Sequence, residues 1–298
     1  MTTVVMYHFV RETEGTEFPG LHSRKLDQFD FQLSHLESNF QVVALYALDH
    51  SLDSTALLTF DDGLKDHFVH AFPALQKKNM TAAFFVSSLP ILKPVVLDVH
   101  KIQLLLGGQR HESLFKLLAS ELGVKRIKEY EESGAISADP ARYDNRKTIL
   151  FKRLLQRDLE EPLRSEILHK IFNHFYTGDE EKISKEFYMS LVELRELKAA
   201  GMVIGNHTVN HPWLGHLDLA EAKREILDCE NLLIQEGLMD EDFKTIAYPY
   251  GNSTSHLETY LLESKYQYAF TTVAENWNPA EFSTMRIPRL DTNDVRFQ

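Results

Sequence analysis

The sequence predicts an α/β fold in which parallel strands are joined by crossover helices and interrupted by a largely helical insertion. Three observations carry this expectation. Short apolar runs of β-type residues alternate with helical-period stretches over residues 1–90, and the same rhythm resumes over residues 188–290. Between them, from about Pro90 to Lys185, strand-like runs nearly vanish and Leu, Lys, Glu and Arg dominate. We expect one domain over residues 1–298, with the insertion at about 90–187.

In order along the chain, Val4-Val-Met-Tyr-His8 reads as a strand, and Leu26 to Asn39 as a helix with Phe29, Leu33, Leu36 and Phe40 on one stripe. Leu57 to Phe60 forms a second apolar strand, Leu64 to Lys78 a helix, and Thr81 to Ser87 a third strand, which is the strand–helix–strand unit of a parallel sheet. Helices are expected in the insertion at Val99–Leu106, Leu114–Leu122, Ile149–Leu159 and Leu163–Phe175, with breaks at Gly107-Gly108 and Ser133-Gly134. His100, His111, His169 and His174 fall within it and read as surface or packing histidines. Tyr188 to Ala200 is a helix closed by Gly201, and the strand Met202 to His207 follows. Asp218 opens the next helix with Glu221 three residues on, a capping box, and Gly237 ends it. Thr245 to Tyr248, Tyr268 to Thr272 and Met285 to Pro288 supply the last strand candidates.

Composition narrows the function. The 32 Lys and Arg stand against 44 Asp and Glu, a formal net charge of −12, which disfavours nucleic acid as a partner because phosphate binding needs a basic surface. The opening Met1 to His8 has no basic region followed by a long apolar stretch, and no apolar span of about 18 residues occurs, so neither a secretory signal nor a transmembrane segment is expected. A cytoplasmic location follows as the expectation. The single cysteine, Cys229, lies between Asp228 and Glu230 with no basic flank, and reads as a helix filler rather than a nucleophile.

Three motifs carry chemistry. Asp61 and Asp62 end an apolar strand and are followed at once by Gly63, so two carboxylates reach the rim of a core. Either this is a plain Asp-Asp-Gly turn, or the pair divides its labour, one carboxylate binding a metal and the other accepting a proton. His207 and His211 form His-Thr-Val-Asn-His after a strand, and in a near-helical turn residues i and i+4 share a face, so both imidazoles can aim at one cation. Two solvated histidines on a capped turn are the plainer reading. Imidazole with carboxylate suits Zn, and also Co, Ni or Fe. In Tyr248-Pro-Tyr-Gly251, Pro249 stiffens the turn and Gly251 permits close approach, so the Tyr250 N–H can point at an oxyanion; a simple strand-to-helix turn would look the same.

Taken together, Leu58-Thr-Phe-Asp-Asp-Gly63, His207-Thr-Val-Asn-His211 and Tyr248-Pro-Tyr-Gly251 resemble the first three motifs of the polysaccharide deacetylases, carbohydrate esterase family 4, in family order. Met6-Tyr-His8, Phe29-Asp-Phe-Gln-Leu33, Phe72-Pro-Ala-Leu75 and Phe84-Phe-Val86 resemble flanking segments of its circularly permuted branch, which deacetylates poly-N-acetylglucosamine. The resemblance covers residues 1–90 and 188–290 and leaves the insertion uncovered.

That resemblance implies a distorted (β/α)7 barrel. It makes Asp61 the general base, Asp62, His207 and His211 the metal ligands, and His8 the general acid, with the Tyr250 backbone in the oxyanion hole. Two departures stand out: Ala247 occupies the place of the usual motif arginine, and the Asp-x-x-Asp-Trp motif is missing, Glu275-Asn-Trp277 being a poor substitute. Arg289 either braces Asp61 in the arginine's stead or is a surface residue. The implied activity is metal-dependent removal of an N-acetyl group from an amino sugar in a glycan, glycolipid or sugar nucleotide. The alternatives are a deformylase or other amidohydrolase on the same fold, and a carbohydrate-binding homologue with weakened catalysis. The insertion is expected to shape access to the cleft or to form a subunit contact.

Overall fold

A computed structural model describes residues 1–48, 54–132, 144–293 and 295. The break expected at Ser133-Gly134 lies outside the described residues. In chain order the strands are β1 (Thr2–Tyr7), β2 (Gln41–Val42), β3 (Thr55–Phe60), β4 (Ala83–Val86), β5 (Val203–Asn206), β6 (Lys244–Ala247), β7 (Tyr266–Phe270) and β8 (Leu290–Asp291). The α-helices are α1 (Leu26–Asn39), α2 (Phe72–Lys77), α3 (Leu89–Leu92), α4 (Asp98–Gly108), α5 (His111–Leu122), α6 (Val124–Glu132), α7 (Arg146–Arg153), α8 (Leu163–Phe175), α9 (Glu180–Phe187), α10 (Leu191–Ala199), α11 (Leu219–Gln235) and α12 (Ser255–Glu263). The chain divides into two compact units, one of Met1–Glu12, Ser23–Pro94 and Ser184–Gln298, the other of Thr13–His22 and Val95–Ile183.

The first unit is a parallel sheet in the order β7-β6-β5-β4-β3-β1-β8, with β2 paired to the start of β3. Its two edges meet in the last described stretch. Ile287 bridges Phe270 of β7, and Leu290 and Asp291 pair with Val5 and Met6 of β1, which gives the distorted barrel that the resemblance implies. Period-two alternation sorts the side chains. Val4, Leu57, Phe85, Ala247 and Phe270 form one buried cluster drawn from strands on both sides of the seam. Val5, Tyr7, Leu58, Phe60 and Phe84 face the other way, against the Phe29, Leu33 and Leu36 stripe of α1 and against α10 and α11.

Several local expectations are corrected. The helix foreseen from Leu64 starts one residue later, at Lys65, and takes a π-type turn over His67–Ala71; Leu64 itself is held in a bridge to Tyr188, and Gly63 O accepts the Met189 N–H. The helix foreseen from Tyr188 likewise starts later, behind a reciprocal capping box of Ser190 and Glu193. At the far end, the strand expected over 285–288 shrinks to the single bridge at Ile287, since Pro288 has no N–H to offer a ladder. α12 had no counterpart in the sequence reading; its N-terminus is capped by the Thr254 side chain.

The second unit holds helices and no strand among its described residues. Gly107 and Gly108 are not a break but the last turn of α4. Gly20 N–H donates to Gly107 O at 2.8 Å, and a Cβ at Gly108 would sit 2.7 Å from the Tyr176 hydroxyl, so close approach explains both glycines. Among the insertion histidines, His100 is buried, while the exposed His111 and His169 hydrogen-bond to Leu106 O and Asn173. No helix among the described residues is long and apolar enough to cross a membrane.

Candidate active site

Because the strands run parallel, their C-terminal ends share one end of the barrel, and the motif residues follow those ends. His8 follows β1, Asp61 and Asp62 follow β3, His207 follows β5 and Tyr248-Pro-Tyr-Gly251 follows β6. Asp62, His207 and His211 are all buried, and one donor atom from each lies within 4.8 Å of the others. Asp62 Oδ1 stands 3.3 Å from His207 Nε2 and 3.4 Å from His211 Nε2. Those separations match the edge of a tetrahedron whose metal–ligand bonds are about 2.0–2.1 Å, since such an edge is roughly 3.3–3.4 Å. His207 Nδ1–H donates to Ala247 O at 2.7 Å, which leaves Nε2 as the ring nitrogen that faces Asp62. Burial disfavours a charged His207, yet the Asp62 hydrogen bond and the Asp61 and Asp62 charges outweigh it and raise its pKa, so the pocket attracts positive charge. Two imidazoles and a carboxylate in such a pocket fit a divalent cation.

The near-helical turn expected over 207–211 is absent. Thr208 (φ 66°) and His211 (φ 57°) adopt left-handed backbone, and this kinked loop, not a helix face, brings the two rings to a centroid separation of 4.8 Å. Asp62 (φ 76°) and Tyr250 (φ 58°) are left-handed as well. Non-glycine residues so placed cluster where surrounding structure overdetermines them, as at functional sites.

Asp61 is buried beside this cluster but outside it. Arg289, wholly buried, grips it end-on: Nη1 to Oδ1 at 2.7 Å and Nη2 to Oδ2 at 2.6 Å. The same guanidinium donates to Thr271 O and Thr59 Oγ1. Burial pushes the Asp61 carboxyl up, but the Arg289 charge, with His207 and the Arg289 hydrogen bonds, more than reverses this and holds it below the usual carboxylate range. Arg289 thus occupies electrostatically the place left by Ala247, which is a core residue of β6. Trp277 is also core: its indole N–H donates to Phe282 O and its backbone bridges Thr2.

Tyr250 stacks on Trp213 with centroids 4.3 Å apart and planes 8° from parallel, and meets the His211 ring edge-on at 4.7 Å. Gly251 permits this turn at φ 68°, where a Cβ would collide with Thr272. Sequence reasoning passed over His67, whose ring N–H donates to His8 O at 2.8 Å, and Asp66, which accepts from the Val10 N–H and pairs with Arg11. These two neighbours, His67 opening the π-type turn and Asp66 just before it, tether the segment that carries His8. Burial lowers the His67 pKa to about 4, so its ring stays neutral and donates through one nitrogen. The only signal in the sequence was their position one turn past the Asp pair.

The comparisons agree with this geometry. The polysaccharide deacetylase family model matches residues 50–96 and 173–269. No curated protein matches the chain significantly. Among solved structures, the Streptococcus pyogenes deacetylase PplD in complex with acetate is 16% identical, with a TM-score of 0.58 over 97% of this chain and 91% of that one. IcaB from Ammonifex degensii is 18% identical, with a TM-score of 0.55 over 97% and 90%. The de-N-acetylase from Aggregatibacter actinomycetemcomitans is 14% identical, with a TM-score of 0.58 over 99% and 97%. At such identities the likeness is one of fold. The first and last strands are neighbours here, the topology that a circular permutation of the motif order requires. The family match runs through both flanks of the insertion and through every member of the candidate metal cluster, and on that ground the chain belongs to the polysaccharide deacetylase family and is a carbohydrate deacetylase.

Proposed function

We propose that the chain removes the N-acetyl group from an amino sugar in a glycan, glycolipid or sugar nucleotide, with a divalent cation, zinc by the donor set, held by Asp62, His207 and His211. The supporting observation is the convergence of those three donors beside a fourth buried group, Asp61, that stands outside the cluster and is kept ionised by Arg289. When bound, the ion polarises the amide carbonyl and lowers the pKa of a water.

Asp61 takes the proton of the attacking water. Arg289 fixes the carboxylate's orientation yet leaves it proton-accepting capacity, since each oxygen has a second lone pair. The Tyr250 N–H, turned by its left-handed backbone, donates to the developing oxyanion. His8, its main chain tethered by His67, delivers a proton to the departing nitrogen as the C–N bond breaks. Water and amide become acetate and a free amino sugar. The stacked Trp213 and Tyr250 rings present an aromatic wall to the substrate.

Purified protein, chelated and then reloaded with Zn2+, is to be assayed for acetate release from N-acetylated sugar nucleotides and from chito-oligosaccharides. Metal-dependent release from one class supports the proposal and names the substrate type. Loaded protein that frees formate from N-formylated sugars, but acetate from neither class, overturns it in favour of a deformylase.

A further inference from the structure

We infer that Glu225, on α11, is a positioning residue for the metal centre, shaping the loop that carries both histidines; this rests on the metal reading above. Between His207 and His211 no backbone N–H takes part in a ladder, and every one is accepted by a side chain. Thr208 N–H donates to Asn206 Oδ1 at 2.7 Å, Val209 and Asn210 N–H donate to Glu225 Oε2 at 3.0 and 2.8 Å, and His211 N–H donates to Thr208 Oγ1 at 3.1 Å. Asn206 and Thr208 are local to the loop, whereas Glu225 reaches it from another element. Its second oxygen, Oε1, accepts the Asn210 side-chain amide at 2.6 Å, so a single carboxylate takes three hydrogen bonds from two consecutive loop residues.

Charge-assisted bonds of this kind are roughly twice as strong as neutral ones. They act here on backbone that is costly to hold, with left-handed Thr208 and His211 on either side of the clamped pair. The platform is firm: α11 buries Ala222, Ile226 and Cys229, and Ile226 O accepts from the Asn206 amide at 2.9 Å. Glu225 touches neither imidazole in these hydrogen bonds, so its effect passes through the loop. Without it, the loop gains conformations in which His207 and His211 no longer converge, and metal affinity falls by the fraction of time spent in them.

The test measures Zn2+ affinity by competition with a chromogenic chelator, together with the melting midpoint of the metal-free protein, for Glu225→Ala and Glu225→Asp. Loss of an outer-shell partner typically weakens metal binding by about tenfold to hundredfold, the loss expected for Glu225→Ala. Glu225→Asp keeps the negative charge but is one methylene too short, so it is expected to bind Zn2+ about tenfold more weakly than the parent. Parental affinity in Glu225→Asp would mean that charge at a distance was responsible, and overturns the inference. So does a lowered metal-free midpoint with unchanged affinity, the signature of a purely structural role. Should Glu225→Ala not fold, Glu225→Asp alone decides. A parent that binds no Zn2+, or a His207→Ala variant that binds it normally, refutes the metal reading itself.

Discussion

Replacing Arg289 with methionine keeps much of the side-chain volume and deletes the guanidinium that holds Asp61. Four donor contacts vanish, two of them to the carboxylate, and a buried negative charge loses its hydrogen-bonded counter-ion. Breaking a buried pair in this way costs about 3–5 kcal/mol. At about 2–4 °C per kcal/mol for chains of this size, Tm should fall by roughly 10 °C. The dependence on pH is sharper still. In the parent, the folded-state pKa of Asp61 is depressed, so the pairing contributes stability above the unfolded-state pKa that is lost as pH falls through the lower folded value. In Arg289→Met burial is opposed only by the His207 and His8 charges, the folded pKa rises, and the penalty is greatest near neutrality and relaxes on acidification. Thermal melts of both proteins in chelator, at roughly pH 7 and roughly pH 5, should therefore show the gap between them closing at the lower pH. A variant that melts within about 2 °C of the parent at neutral pH, or a gap that widens in acid, would refute the reasoning.

Asp61→Asn should bind Zn2+ as the parent does while acetate release drops by about a hundredfold to ten-thousandfold; turnover at the parental rate removes Asp61 as the base. Gly251→Ala forces a Cβ onto left-handed backbone facing Thr272 and should cost more than about 1 kcal/mol, read as a lowered urea midpoint; an unchanged midpoint contradicts the described turn. Burial pushes the Cys229 thiol up to about 12, so Ellman's reagent should label it only in denaturant, and rapid labelling of the native protein would show that α11 is not packed as described.

What the sequence revealed and what it withheld follow from the range of the interactions involved. The strand–helix rhythm was legible because each element buries its own face, as the Phe29, Leu33 and Leu36 stripe of α1 does. The Asp pair and the two histidines were legible because their spacing is local. The shape of the histidine loop was not: the N–H groups of Val209 and Asn210, between left-handed Thr208 and His211, are accepted by Glu225, whose distance in sequence hides the contact. Arg289 posed the same problem more severely, since it meets Asp61 across 228 positions of chain. Motif comparison exposed a vacancy at Ala247, but only tertiary structure could say which arginine fills it. His67 escaped notice because its partner is a main-chain carbonyl, and carbonyls leave no trace in a sequence pattern.

The seam where the first strand meets the last orders events during synthesis on the ribosome. A nascent chain that has emerged through residue 247 already carries all three donors of the candidate ion site together with Glu225 and the Ala247 carbonyl beside them, whereas Asp61 must await residue 289 for its counter-charge. The counter-charge of the candidate base is thus the last part of the site to be made, translated after every donor of the candidate ion site.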